Sequence, residues 1–146
     1  MTTADNMALT GLRILYLTHR FPYPPHDGAR IRAYHTIRHL AARNSVTVAA
    51  PLRVGDDDHC DSRDLPAEWS QIQTAWISRT GALVRMVAAA GSRRSASEAF
   101  FRAPDLARSL KRDLAAEAYD LVVVHCSAMA PYVLDSPVAK VMDFVD

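Results

Sequence analysis

The sequence predicts an α/β domain built on a doubly wound, Rossmann-like parallel sheet, and three observations carry that prediction. An apolar run without polar interruption at residues 14–17 (ILYL), and runs dominated by apolar residues at 45–50 (SVTVAA) and 119–126 (YDLVVVHC), have the habit of buried strands. Segments with apolar residues three and four apart, such as 28–43 and 104–117, separate them as amphipathic helices. The alternation of the two kinds of segment is that of crossover units, in which parallel strands are joined through helices.

Taken in order, the first strand at 14–17 is followed by a loop rich in proline (Pro22, Pro24, Pro25). Asp27 then caps a helix whose apolar face is Ile31, Tyr34, Ile37, Leu40 and Ala41, with Arg38, His39 and Arg43 placed favourably in its last turns. The second strand, 45–50, is expected to end at Pro51, and the acidic stretch 53–68 has no periodicity and forms a surface loop. A third strand spans 72–78. An apolar helix over 81–90 ends at Gly91-Ser92, and Pro104 opens a helix carrying Leu106, Leu110 and Leu114. The fourth strand is 119–126, a short helix or turn occupies 127–134, and a fifth strand fills 139–145. Trp76, Tyr119 and the leucines are assigned to the core.

At 146 residues the chain has room for one domain with a real core. Residues 1–11 lack a basic start and an apolar signal core, and are expected to be a loose leader to a domain over 12–146. No apolar run approaches the ~20 residues that cross a bilayer. Cys60 and Cys126 are far apart and fit neither a disulfide framework nor a zinc spacing, which suits a reducing cytoplasm. A net charge of +1 removes the bulk-basicity argument for a nucleic-acid binder, so any anion site must be local. The last strand runs to the final residue with no covering helix after it, which predicts that the fold continues in a further segment.

In an open parallel sheet, ligands bind beyond the carboxyl ends of the strands, and the start of the following helix offers N–H groups to an anion. The first loop therefore makes Asp27, Gly28 and Arg30 candidates for contact with a phosphate, with Gly28 allowing close backbone approach and Arg32 adding charge. The stretch has neither the three glycines of a dinucleotide fingerprint nor the lysine of a phosphate-binding loop. A stiff connection with a solvated basic helix face is the alternative. His125 ends the fourth strand and His19 the first, so both fall on that edge, where an imidazole can take part in proton transfer or simply make a structural hydrogen bond. Asp143 and Asp146 bracket the end of the fifth strand, as acceptors for sugar hydroxyls or as strand terminators. The acidic run Asp56, Asp57, Asp58, His59, Cys60, Asp61 lacks a second cluster to complete a coordination shell, and no metal is expected. Between Leu83 and Arg102, apolar residues with Arg85, Arg93, Arg94, Phe100 and Phe101 suit either an anionic membrane surface or a core helix with a charged rim.

The stretches ILYLTHRFPYPPHDGARIRAYHTIRHLAAR, SVTVAAP, YDLVVVHCSAMAPYVLD and KVMDFVD together resemble the amino-terminal domain of glycosyltransferase family 4, and most of all the exopolysaccharide-associated sugar transferases. The resemblance implies the amino-terminal half of a GT-B fold, two facing Rossmann-like domains, with the nucleotide held by a carboxyl-terminal donor domain that this sequence lacks. It implies a hexosyltransferase moving sugar from a nucleotide-sugar donor to a glycan or lipid-linked acceptor, with no cofactor and no metal. By similarity His125 takes the catalytic-site position, Gly28 with Asp27 and Arg30 the donor-phosphate side, and His19, Arg32, Arg93, Arg94 and Asp143 the acceptor side. Relatives often carry a histidine where Val145 stands, so that role is not transferred. The implied setting is cytoplasmic, with peripheral contact at the inner membrane face, and the half-enzyme alone would be inactive. A non-catalytic module binding a phosphorylated ligand or a partner protein is the other function class.

Overall fold

Burial on both faces makes β1 (Arg13–Thr18) the centre of the molecule: residues 14–18 are all buried, and Leu15, Tyr16 and Leu17 have no exposed surface. The computed structural model describes residues 10–53, 65–92 and 96–144. After β1 come α1 (Gly28–Ala41), β2 (Ser45–Arg53), β3 (Gln71–Ile77), α2 (Arg79–Ala89), α3 (Ala96–Phe100), α4 (Pro104–Ala115), β4 (Leu121–His125), a 3-10 helix (Ser127–Tyr132) and β5 (Ala139–Asp143). The five strands form one sheet in the order β3-β2-β1-β4-β5, and every pair is parallel. This is the Rossmann-like α/β architecture that the strand and helix alternation predicts.

The apolar strands are covered on both sides. One face packs Leu15, Leu17, Val122 and Val124 against Leu106 and Leu110 of α4 and Met129 of the 3-10 helix. The other packs Ile14, Tyr16, Val46 and Val48 against Ala33 and Ile37 of α1, with Phe21 and Trp69 closing the end. At the amino edge of the sheet Arg13 holds the Asp120 carboxylate through Nε and Nη2, at 3.1 and 2.7 Å. These hydrogen bonds pull Asp120 down to about 2 and pin the start of β1 beside the start of β4. Helix starts follow their residue chemistry. Asp27 accepts the Arg30 N–H, Ser78 accepts the Gly81 N–H, and α4 opens on Pro104.

Several expectations change. The second strand passes through Pro51 to Arg53: pairing with β1 stops at Ala49 while pairing with β3 continues, so beyond Ala49 the β1 side has no ladder for a missing N–H to break. Trp76 is not core; it lies on edge strand β3 and is 59% exposed, as Leu83 and Leu134 are also exposed. The buried stripe of α1 is Arg30, Ala33 and Ile37, and Ile31 faces outward. The fifth strand ends at Asp143; Asp146, the leader residues 1–9 and the acidic run 56–61 lie outside the described residues, as do Arg93 and Arg94. Among the described residues no helix is long and apolar enough to cross a membrane.

Candidate functional site

The strand order reverses between β1 and β4, and at such a switch point the loops leaving adjacent strands part to open a crevice. Register puts Thr18, His125 and Asp143 side by side at the carboxyl ends of β1, β4 and β5. His19 follows Thr18 directly, and its ring lies parallel to that of His125 with centroids 6.1 Å apart. Three of the residues picked out by counting to strand ends therefore meet on one rim.

Beneath them is a hydrogen-bonded stack that fixes the imidazole. Arg32 of α1 grips Asp143 with two bonds, Nη2 to Oδ1 at 2.7 Å and Nε to Oδ2 at 3.1 Å. Asp143 Oδ2 lies 3.4 Å from His125 Nδ1, and the Tyr16 hydroxyl lies 3.2 Å from the same nitrogen. A carboxylate oxygen beside Nδ1 is tolerated only if that nitrogen carries the proton. The Tyr16 oxygen then accepts as well, and the hydroxyl is also hydrogen-bonded to Thr36, whose own hydroxyl donates to the Arg32 carbonyl. With the proton on Nδ1, Nε2 is left with its lone pair. His125 is 0% exposed and Nε2 has no hydrogen-bond partner among the described residues; the buried Nδ1 of His19 has none either.

Electrostatics keep this pair neutral. Burial lowers His125, against an opposing pull from Asp143. His19 is lowered further, to about 4, first by burial and then by His125, Arg20 and Arg53, with Asp27 working the other way. Burial and the Asp143 charge raise the Tyr16 phenol. At neutral pH both imidazoles are thus uncharged, each with a nitrogen free to accept a hydrogen bond. Next to them, Phe101 meets His19 edge-on at 5.3 Å, and the Arg53 guanidinium lies over the Phe100 and Phe101 rings at 5.0 and 5.6 Å.

The helix start is arranged differently from the sequence expectation. Arg30 is only 4% exposed, held by His26 Nε2 at 2.8 Å and by the Asp27 carboxylate at 3.4 Å. Its charge is therefore spent inside the protein, and Arg30 does not present a guanidinium to a phosphate. Asp27 caps α1; burial would raise its carboxyl, but the Arg30 N–H and the charges of Arg30, Arg20 and His26 outweigh that and lower it. Gly28 is exposed, and a side chain added there would meet nothing within 4 Å, so internal packing does not require the glycine. Arg32 serves as the clamp on Asp143.

Sequence reasoning passed over Tyr16 and Arg53, and read Phe101 as membrane-facing or core, whereas the three build the rim's floor and wall. Tyr16 carried a signal: a phenol in a fully apolar strand needs a buried partner, and it lies two residues before the position level with His125. Cys126, next to His125, has φ of 87° and ψ of 129°, a strained conformation for a residue other than glycine, and its N–H donates to the Asp143 carbonyl. Among the described residues no group of three or more His, Cys, Asp or Glu is placed to hold a metal ion. Comparison with protein-family models, with curated proteins and with solved structures finds no match to this chain.

Proposed function

We propose that this chain is the acceptor-side half of a nucleotide-sugar-dependent glycosyltransferase of polysaccharide or glycolipid synthesis. The supporting observation is His125 at the β1/β4 switch point: buried, held at Nδ1 by Asp143 and Tyr16, and carrying an unpartnered Nε2. In the transfer, the acceptor hydroxyl oxygen bonds to the anomeric carbon as the bond from that carbon to the nucleoside diphosphate oxygen breaks. The diphosphate departs with the electron pair, and Nε2 of His125 is suited to receive the hydroxyl proton or to hold a sugar hydroxyl in place. His19 lies beside it as a second neutral hydrogen-bonding ring. A facing domain holds the nucleotide, and this half works on the cytoplasmic side of a membrane.

The test is transfer from a panel of nucleotide sugars, measured with the donor-binding half in place, for the native sequence and for His125→Ala. General acid-base roles are worth about 10²–10⁴-fold, so kcat should fall by about 10²-fold or more while donor KM changes by less than about threefold. Equal loss in kcat and donor affinity would reduce His125 to a binding residue. Nucleoside diphosphate binding without transfer to any acceptor would leave a ligand-binding module in place of an enzyme.

A further inference from the structure

A cavity of about 900 Å³ lies between α2, α3, α4 and the loop after the 3-10 helix. None of His19, His125, Asp143 or Arg53 lines it. Its size is at the upper end of the ~300–1,000 Å³ typical of small-molecule sites. The space exists because alanine stands where helices in contact usually carry larger side chains: Ala88 and Ala89 on α2, Ala99 on α3, Ala107 and Ala115 on α4, and Ala128 on the 3-10 helix. Tyr132 braces the wall, donating to the Phe101 carbonyl at 2.7 Å and accepting the Ala103 N–H at 2.6 Å. That strap ties the 3-10 helix to the turn between α3 and α4, so the cavity is held open by the fold.

Its polar groups are biased in sign. Arg85, Arg102 and Lys111 face two carboxylates, Glu98 and Asp135. Arg85 Nε donates to the Ala99 carbonyl. Among the described residues neither Arg102 nor Lys111 is in an ion pair, although both line a cavity with carboxylates in it. Arg102 and Arg85 both act electrostatically on the Tyr132 phenol, which places the positive charge around the braced wall. The apolar surface continues outward, because Val84, one turn before Ala88 on α2, is 68% exposed. An apolar trough with spare cations at its edge complements one kind of molecule, a hydrocarbon chain ending in an anion.

We infer that this cavity binds an anionic amphiphile, a single alkyl or acyl chain that lies along the alanine walls with its phosphate or carboxylate head against Arg102 and Lys111. The inference uses none of His19, His125 and Asp143, so it stands or falls separately from the glycosyl-transfer reading. Burial of the chain supplies the affinity in proportion to apolar area, and the cations select the head.

Calorimetric titration of the 146-residue chain with dodecyl phosphate, dodecanoate and the uncharged dodecyl maltoside, each below its micellar concentration, tests it. Saturable one-to-one binding is expected for at least one anionic probe, and the tighter of the two identifies the head group. Dodecyl maltoside should bind about tenfold more weakly or worse, the loss expected when paired charge is removed from a partly desolvated site. The Arg102→Glu/Lys111→Glu double variant, changed only at exposed positions, should weaken the anionic probe by about tenfold or more. Ala107→Phe, checked for folding by circular dichroism, should block the trough. Absence of saturable binding overturns the proposal, as does equal affinity for charged and uncharged chains, or affinity unchanged in the double variant. Capture by phosphatidylglycerol vesicles without binding of the monomeric probes would make the region a membrane-docking face and would equally overturn it.

Discussion

His19 should make the domain lose stability in mildly acidic solution, and replacing it should remove that part of the loss. Its imidazole is held at about 4 against an ordinary value of 6.5, by burial first and then by His125, Arg20 and Arg53. Because the folded value lies below the unfolded one, the unfolded state binds the proton first as pH falls. Stability is therefore fully present above about 6.5 and declines as pH drops toward 4. Over the roughly two pH units between 6.5 and 4.5, linkage at about 1.36 kcal/mol per unit sets an upper limit of ~2.7 kcal/mol. His19 is only partly buried, and solvent screens its charged neighbours, so the expected loss is ~1–1.5 kcal/mol. Urea unfolding of the native sequence and of His19→Gln at pH 7.5 and 4.5 measures it. Asp27 and Asp120, whose lowered carboxyls also cost stability as pH falls, are present in both proteins and cancel. His125 is present in both proteins and cancels. The native domain should lose ~1–1.5 kcal/mol more than the variant between the two pH values. Losses that agree within ~0.3 kcal/mol would refute the burial and charge argument for His19.

The two tryptophans should separate cleanly in the same unfolding assay. Trp69→Ala removes a ring packed on Phe21 and should cost ~3–5 kcal/mol, while Trp76→Ala, on the exposed face of β3, should stay within ~0.5 kcal/mol. Asp27→Ala should cost more than Asp27→Asn by about 1 kcal/mol, the worth of the cap that asparagine retains, and equal values would mean that the carboxylate acts on Arg30 alone.

The strands were legible because their chemistry is local: uninterrupted runs such as LVVVH and ILYL have few alternatives, and helices between them dictate parallel pairing. The rim followed from the same logic. In a parallel sheet all strands end on one side, so counting to the last residue of each run brings His19, His125 and Asp143 together without any knowledge of side-chain contacts. What spacing did not reveal depends on rotation and on sheet position. Arg30 and Ile31 are neighbours in sequence, and the packing of α1 on Phe21 and Tyr16 turns the first inward and the second outward. Trp76 is exposed because β3 is an edge strand, and edge status belongs to the strand order rather than to the apolar character of the strand itself.

The helix start shows why a local motif underdetermines a site. A glycine at the beginning of a helix beyond a strand suggests an anion cradle, yet here the protein's own Asp27 carboxylate already accepts the Arg30 N–H, and Arg20 and Arg30 already face it. An incoming phosphate would meet a negative charge within the first turn, which weakens the dipole argument that made Gly28 attractive. The His125 stack has the opposite character. Each of its polar atoms is satisfied except Nε2, and leaving a buried acceptor unpaired costs about 1–3 kcal/mol with no structural return. A group held at that cost by a tyrosine, an aspartate and an arginine from three other elements is better explained by what binds it than by what it contributes to folding. The imidazole, and not the glycine, therefore carries the functional argument.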